Sequence, residues 1–140
     1  GITNTVVYHG DASEFVEEFC GCDRVLCDVP CSGLGIIRKK PDIRYKNPKE
    51  LAQLPLVQRA ILENASGYVR PGGTLVYSTC TVLPEENEDV TGDFLDKHPE
   101  FEPVRTAFPL PVGPCPGQVT LWPQRHGTDG FYICRMRRKD

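Results

Sequence analysis

Two cysteines stand at comparable places in the sequence, each just after a short apolar run. Cys31 follows the run that ends at Val29, and Cys80 follows the run that ends at Ser78. Ligands of open α/β sheets bind at the carboxyl ends of the strands, so both thiols and Asp28 would share one cleft if the runs are neighbouring strands. Two thiols and a carboxylate suit nucleophilic attack on an electron-poor ring, in which one thiolate attacks and a second group moves a proton. The alternative is that both are small buried residues, as free cysteines often are.

The segment from Cys31 to Arg38 is also similar to a phosphate-binding cysteine loop. In the cysteine phosphatases the arginine comes one residue earlier than Arg38 does here. A phosphate cradle depends on a tight nest of backbone N–H groups that the arginine closes, so the additional residue argues against a thiol-dependent phosphatase. The glycines at 33 and 35 are also a poor nucleotide fingerprint, because no third glycine opens a helix and Pro41 follows closely.

The remaining cysteines give no metal-binding pattern. The sequence contains seven cysteines and three histidines, with no Cys-x-x-Cys pair. A zinc site would need Cys20 and Cys22 with distant partners, whereas structural zinc sites usually have tighter ligand spacing, so we expect no metal. Because seven is an odd number, complete pairing within one chain is impossible. Reduced thiols in a cytoplasmic protein are the better interpretation.

A net charge of −3 conceals a strongly basic segment at 38–49. This segment carries a single acid, Asp42, and six basic residues: Arg38, Lys39, Lys40, Arg44, Lys46 and Lys49. Such a segment can bind a polyanion even when the whole chain is acidic. The alternative is a solvated loop, which charge alone favours.

The elements that would position the two thiols alternate in type, which favours α/β architecture. Apolar runs predict strands at 5–8, 24–29, 74–78, 119–122 and 131–136. The continuous runs before Cys31 and Cys80 are typical of strands covered on both faces, as in parallel sheets. A turn sequence between the last two runs indicates an antiparallel pair.

Three helices are predicted between these strands, over 13–19, over 47–69 and from 84 to the residues before Pro99. The longest begins at Asn47, which can cap it, and apolar residues then recur at spacings of three and four. Pro55 lies inside this pattern and predicts either a kink or a helix that starts near it. The third helix carries Glu85 and Glu86 in its first turn, where acids favour the helix dipole.

Length and composition indicate a single globular unit. The chain has 140 residues, of which 25% are charged and 39% are hydrophobic, as is ordinary for soluble proteins. We therefore expect residues 1–140 to form one domain around one core. No apolar run approaches the roughly 18 residues of a membrane span, and the start lacks a signal-peptide pattern. Nothing in the sequence indicates a membrane or export.

Three ordered motifs resemble those of the NOL1/NOP2/Sun family of RNA cytosine-5 methyltransferases, especially its bacterial Sun and RsmB-type members that act on 16S ribosomal RNA. The segment 28–42, with Asp-Val-Pro-Cys-Ser-Gly-Leu-Gly at its start, is similar to the fourth motif of the family. The segment 72–87, which contains Ser-Thr-Cys-Thr, is similar to the sixth motif. The segment 124–132 is similar to the eighth. The resemblance covers most of the chain, from about residue 7 to the C-terminus.

The resemblance implies a role for several residues. Cys80 matches the nucleophile that attacks C6 of the target cytosine, and Cys31 matches the cysteine implicated in product release. Asp28 and the Pro30 carbonyl match groups that line the methionine end of the donor and the cytosine edge. Asp11 matches an acid near the adenine of the donor.

The resemblance also implies S-adenosylmethionine as methyl donor and RNA, in particular ribosomal RNA, as substrate. The basic segment would face the RNA backbone through Arg38, Lys39, Lys40 and Arg44. The implied fold is an incomplete Rossmann-like methyltransferase fold, with strands 3 to 7 and their helices but without the first two strands and the Gly-rich donor loop. The chain would then be the C-terminal part of a catalytic domain. A non-catalytic RNA-binding module with the same fold is the alternative.

Overall fold

The computed structural model describes residue 1 and residues 3–140. Its strands are β1 (Cys22–Asp28), β2 (Val69–Thr79), β3 (Phe101–Pro103), β4 (Thr106–Ala107), β5 (Pro114–Cys115), β6 (Gln118–Leu121) and β7 (Phe131–Arg138). Its α-helices are α1 (Pro48–Leu51), α2 (Leu54–Tyr68), α3 (Glu88–Lys97) and α4 (Pro123–His126). Single 3₁₀ turns lie at Glu17–Phe19, Leu34–Ile36, Pro41–Tyr45 and Pro84–Glu86. The predicted α/β architecture is confirmed.

The main sheet places the two thiol-bearing strands side by side. Its order is β1-β2-β7, and both β3 and β6 pair with the far edge of β7. β1 and β2 are parallel, and α2 lies in the crossover that a parallel pair requires. β7 is antiparallel to β2 and to β6, as the turn sequence between β6 and β7 predicts for the latter pair. β4 and β5 form a separate two-stranded sheet.

The core lies between the sheet and the helices α2 and α3. Its fully buried side chains include Leu62 of α2, Val90 of α3, and Leu75, Tyr132 and Met136 of the sheet. The helical spacing of apolar residues in α2 is what places one face of this helix against the strands. The core therefore fixes α2 to β1 and β2, whose ends carry the thiols.

The predicted long helix is present but starts in two stages. Asn47 caps α1 through its side-chain oxygen, which accepts a 3.0 Å hydrogen bond from the Lys49 N–H. The chain leaves the helix at 52–53, and Pro55 lies in the first turn of α2, where its missing N–H has no intrahelical partner to lose. The prediction of a helix that starts near Pro55 is confirmed.

Two predictions near the N-terminus are wrong. Residues 5–8 form no strand, and Val6 and Val7 are about nine-tenths exposed. A strand needs a neighbour for its backbone groups, and no described residue pairs with this segment. The helix predicted over 13–19 is only a 3₁₀ turn, because so short a segment gains too few hydrogen bonds to offset its nucleation. Its Phe15 ring instead stacks on Tyr68 of α2, with ring centroids 5.2 Å apart.

Neither a membrane-spanning helix nor a cluster of metal ligands is found in residues 1 and 3–140. No helix in this part of the chain is both long and apolar enough to cross a membrane. No three metal-ligating side chains cluster there either.

The outer edge of β1 is unpaired within the described residues. β1 hydrogen-bonds to β2 only, and Leu26 is 68% exposed. An apolar open edge is a template for pairing with another copy. We expect residues 1–140 to self-associate at micromolar concentration in sedimentation experiments and Leu26→Lys to weaken the association. A strictly monomeric chain at these concentrations would contradict the prediction.

Candidate active site

The loops after β1 and β2 bring Cys31 and Cys80 together. Asp28 and Ser78 are partners in the parallel register, so the two strands end at the same level of the sheet. Each cysteine follows within three residues of its strand end, and the two Sγ atoms are 3.2 Å apart. Both residues are half-buried. The two thiols thus form a contact pair that remains reachable from solvent.

A glycine at position 35 lets the two cysteine loops approach this closely. The Gly35 N–H donates to the Cys80 carbonyl at 3.0 Å, and the Gly35 carbonyl accepts from the Gly130 N–H at 2.8 Å. A Cβ at position 35 would lie 2.0 Å from the Gly130 carbonyl oxygen and 2.8 Å from that of Cys80. The backbone of three segments therefore meets at a point where no side chain fits.

Burial has a direct effect on the Cys31 thiol. Burial raises the pKa of the Cys31 thiol to about 12, and the hydrogen bond with Cys80 acts in the same direction. Cys31 therefore holds its proton at neutral pH, and its S–H can donate to the Cys80 sulfur. Only a thiolate is a strong sulfur nucleophile, so Cys31 is poorly suited to attack in this state.

A cleft of about 330 Å³ opens beside β1, and its lining extends to Pro30, the residue before Cys31. Its lining includes all three residues that the sequence assigns to donor binding, namely Asp11, Asp28 and Pro30. Asp28 is exposed and accepts a 3.0 Å hydrogen bond from the Ser78 hydroxyl. The Ser13 hydroxyl donates a hydrogen bond to the Asp11 carboxyl, and the Ser13 N–H donates a second one. Both bonds lower the pKa of that carboxyl. The cleft thus offers three acidic side chains, those of Asp11, Glu14 and Asp28, and an otherwise largely apolar wall.

The basic segment 38–49 follows the loop that carries Cys31. Arg38, Lys39, Lys40 and Arg44 are all exposed, as expected for groups that contact RNA. Lys39 forms an ion pair with Asp129, and Arg38 approaches the same carboxylate to 3.7 Å. No ion pair with Lys40 or Arg44 is found in the described part of the chain. Of the four residues assigned to RNA contact, Lys40 and Arg44 are therefore the two whose positive charge has no ion-pair partner in the described part of the chain.

Three residues of this site were not predicted from the sequence. Lys46 donates to the Ser32 carbonyl at 2.9 Å, next to Cys31. Gln58 and Glu86 are fully buried behind the same loop. The signal for Gln58 was a polar residue inside the apolar stripe of α2, four residues before Leu62. Glu86 gave no such signal, because an acid in a first helical turn is ordinarily solvated.

Comparison with known proteins identifies the class. The family model described as "16S rRNA methyltransferase RsmB/F" matches residues 1–137. The chain is 46% identical over 123 residues to the "Probable ribosomal RNA small subunit methyltransferase B" of Bacillus subtilis, covering 84% of this chain and 28% of that protein. It is 39% identical over 137 residues to the "Ribosomal RNA small subunit methyltransferase B" of Klebsiella pneumoniae, covering 95% and 30%.

Solved structures agree with this class. A methyltransferase homologue from Pyrococcus horikoshii superposes with a TM-score of 0.74 at 30% identity, covering 97% of this chain and 45% of that one. The NSun6 protein of the same organism, solved with SFG, an analogue of S-adenosylmethionine, superposes with a TM-score of 0.72 at 27% identity, covering 95% and 34%. The sheet described above is thus part of a Rossmann-like methyltransferase fold.

The chain belongs to the RsmB/F family of 16S ribosomal RNA methyltransferases. The resemblance found in the sequence motifs is therefore confirmed. The chain spans less than a third of the length of the two curated relatives described above.

Proposed function

We propose that this protein methylates C5 of a cytosine in small-subunit ribosomal RNA, with S-adenosylmethionine as the methyl donor. The observation that carries the proposal is the 3.2 Å contact between Cys31 and Cys80 at the carboxyl ends of a parallel strand pair. The names of the relatives support the choice of RNA. A non-catalytic RNA-binding module with this fold would have no need of two adjacent, solvent-reachable thiols.

Cys80 is the proposed nucleophile. Its thiolate adds to C6 of the cytosine, a sulfur–carbon bond forms, and the electron pair of the 5,6 double bond makes C5 electron-rich. The bond between C5 and the methyl group then forms as the bond between methyl and donor sulfur breaks. Burial raises the pKa of Cys31, which disfavours the thiolate that attack requires.

Cys31 is the proposed group for product release. Release requires that a base remove the C5 proton; the electrons of that bond restore the 5,6 double bond, and the bond between C6 and Cys80 breaks. In this step Cys31 acts as a thiolate that has lost its own proton to solvent; it takes the C5 proton and becomes a thiol again, and the electron pair of the broken carbon–sulfur bond stays on Cys80. Burial raises the pKa of Cys31, so its thiolate is a stronger base than that of an ordinary cysteine. Attack and release are thus assigned to different thiols of the pair.

The cleft beside β1 fits a cationic donor. Its volume of about 330 Å³ lies within the range of small-molecule sites. We assign Asp11 to the adenine end of the donor, and Asp28 and the Pro30 carbonyl to its methionine end and to the cytosine edge. When bound, the donor supplies the methyl group. We expect residues 1–140 alone to bind it more weakly than the whole protein, because the resemblance implies that the Gly-rich donor loop of the family lies outside these residues.

The basic segment is the proposed contact with the RNA backbone. Each lysine or arginine on a phosphate releases counterions, so its loss reduces the slope of log K against log salt by about 0.7 on a single strand. We expect Lys40→Gln and Arg44→Gln to reduce this slope and to weaken RNA binding at low salt. Lys39→Gln should have a smaller effect, because Asp129 already compensates its charge.

The measurement is RNA binding by fluorescence anisotropy across a salt series, with the whole protein. Lys97→Gln, on the acidic helix α3, is the control and should leave the slope unchanged. Unchanged slopes for Lys40→Gln and Arg44→Gln would mean that the segment is a solvated loop.

We further propose that residues 1–140 form the C-terminal part of a catalytic domain and that activity belongs to the whole protein. The share of the relatives that the chain covers supports this, and so does the unpaired edge of β1. The test is incubation of the whole protein with small-subunit ribosomal RNA and labelled S-adenosylmethionine, followed by digestion to nucleosides. The proposal predicts label in 5-methylcytidine. Label only in another nucleoside would refute the reaction proposed.

A further inference from the structure

Gln58 and Glu86 form a buried polar pair directly behind Cys31. The side chain of Glu86 is 2% exposed and that of Gln58 is fully buried. The Gln58 amide nitrogen donates to Glu86 Oε2 at 2.8 Å, which links α2 to the turn that precedes α3. No cationic side chain pairs with Glu86 in the described residues.

The pair holds both peptide groups that flank Cys31. On one side, the Gln58 amide nitrogen donates to the Pro30 carbonyl at 3.0 Å. On the other side, the Ser32 N–H donates to Glu86 Oε2 at 2.9 Å. Because the two peptide planes fix the backbone of the residue between them, these bonds hold the Cys31 Cα in place, and with it the base of the side chain.

The same pair is tied to the strand that carries Cys80. The Tyr77 hydroxyl, on β2, donates to the Glu86 backbone carbonyl at 2.6 Å. A second link joins the loops themselves, since the Ser32 and Thr81 hydroxyls are 2.8 Å apart. Glu86 therefore connects the backbone next to Cys31 with β2, the strand that precedes Cys80.

Burial of this pair is unfavourable for the folding stability of the protein. Glu86 Oε1 and Gln58 Oε1 are buried and have no hydrogen-bond partner in the described structure. A buried carboxylate without a cation and two unsatisfied acceptors are both unfavourable, and apolar residues of similar size would avoid that cost. The arrangement is explained if the bonds to Pro30 and Ser32 serve the position of Cys31.

We propose that Gln58 and Glu86 are positioning residues that hold Cys31 in place for product release. The proposal rests on the function proposed above, in which Cys80 attacks and Cys31 serves release. Loss of either side chain frees the Cys31 backbone while leaving Cys80 and its strand in place. The effect should therefore fall on release. Because Gln58 also bonds the Pro30 carbonyl, which is assigned to the donor and the cytosine edge, the rates of attack and methyl transfer are compared at saturating donor and RNA, where weaker binding does not limit them.

The test separates these steps with two RNA substrates. On ordinary RNA, turnover requires release. On RNA that contains 5-fluorocytosine, C5 has no proton to lose, so the covalent adduct forms without release and its rate reports attack and methyl transfer only. The variants of the whole protein are Gln58→Met and Glu86→Met, which keep an unbranched side chain of similar length.

We expect both variants to lose about 10²-fold in turnover, as a small misplacement of a catalytic group commonly costs. Adduct formation on the fluorinated RNA should stay close to the wild-type rate, and an adduct with ordinary RNA should accumulate. Glu86→Gln keeps an acceptor for Ser32 and Gln58 and should restore most of the turnover. If Glu86→Met does not fold, Gln58→Met carries the test, because Glu86 then keeps its bond from Ser32.

Thr91→Val is the matched control. It removes a buried 2.7 Å contact with the Tyr132 hydroxyl in the same core but touches neither cysteine loop. The proposal is overturned if Gln58→Met lowers turnover and adduct formation in parallel, or if it changes neither. It is also overturned if Glu86→Gln is as impaired as Glu86→Met. If the wild type forms no adduct on the fluorinated RNA, the proposed function itself fails.

Discussion

Cys80→Ala in the whole protein is expected to abolish methyl transfer, whereas Cys31→Ser is expected to leave a persistent covalent protein–RNA adduct. No other side chain at the end of β2 can add to C6, so removal of Cys80 leaves no route to an electron-rich C5. Removal of Cys31 spares the attack by Cys80, 3.2 Å away, but takes away the group assigned to release. Methyl incorporation and denaturing gel electrophoresis of labelled RNA measure the two outcomes.

Cys115→Ala is the control for these variants. Cys115 is also a half-buried free cysteine, but it lies on β5, outside the main sheet. It should retain both methyl transfer and release. Persistent adduct in Cys80→Ala and loss of attack in Cys31→Ser would mean that the roles of the two thiols are reversed.

Gly35→Ala is expected to lower both stability and activity. The new Cβ would lie 2.0 Å from the Gly130 carbonyl oxygen and 2.6 Å from its carbon, and neither is the end of a flexible side chain. The backbone must shift and strain the hydrogen bonds that Gly35 makes with Cys80 and Gly130. Overpacking of this kind costs about 1 to 3 kcal/mol of unfolding free energy. Adduct formation should fall as well, because the shift separates the two cysteine loops.

The measurements are urea unfolding of residues 1–140 and adduct formation by the whole protein. Gly92→Ala is the control, because Gly92 lies inside α3 and a Cβ there meets nothing within 4 Å. Alanine at an open helix position is favoured over glycine by about 0.5 to 1 kcal/mol, so this variant should be slightly more stable. An unchanged unfolding midpoint and adduct rate in Gly35→Ala would contradict the claim that the close approach of the two cysteine loops requires glycine at position 35.

The meeting of the two thiols could be predicted from the sequence because it depends on few facts. Two continuous apolar runs indicated parallel strands, and the carboxyl ends of parallel strands lie at the same edge of a sheet. One cysteine follows each run, so their proximity did not require knowledge of side-chain packing. Because Asp28 is paired with Ser78, the two strands end at the same level of the sheet, and the cysteines that follow them come into contact.

The groups behind the thiols could not be predicted in the same way. Glu86 was predicted only to lie in a first helical turn, and nothing in the sequence indicated its burial; it is buried because the turn Pro84–Glu86 packs against the Cys31 loop. Burial of this kind depends on contacts between residues about 50 positions apart, such as Ser32 and Glu86, which local spacing does not encode. The same holds for Asp129, whose pairing with Lys39 spans 90 positions.

The failures near the N-terminus have a different cause. Residues 5–8 have strand-forming side chains, but β structure requires a partner strand, and none of the described residues supplies one. Residue types alone therefore predicted a strand at 5–8 that does not form. The aromatic residues that follow pack instead on Tyr68, as any exposed apolar segment will when a partner surface is near.

The most direct test of the central claim is the mass of the protein after incubation with S-adenosylmethionine and RNA that contains 5-fluorocytosine. Nuclease digestion, proteolysis and mass spectrometry of the whole protein then locate the nucleotide that remains attached. We predict a methylated 5-fluorocytidine nucleotide on the peptide that contains Cys80, formed only when the donor is present. Absence of an adduct, or attachment to the peptide that contains Cys31, would contradict the assignment of Cys80 as the nucleophile.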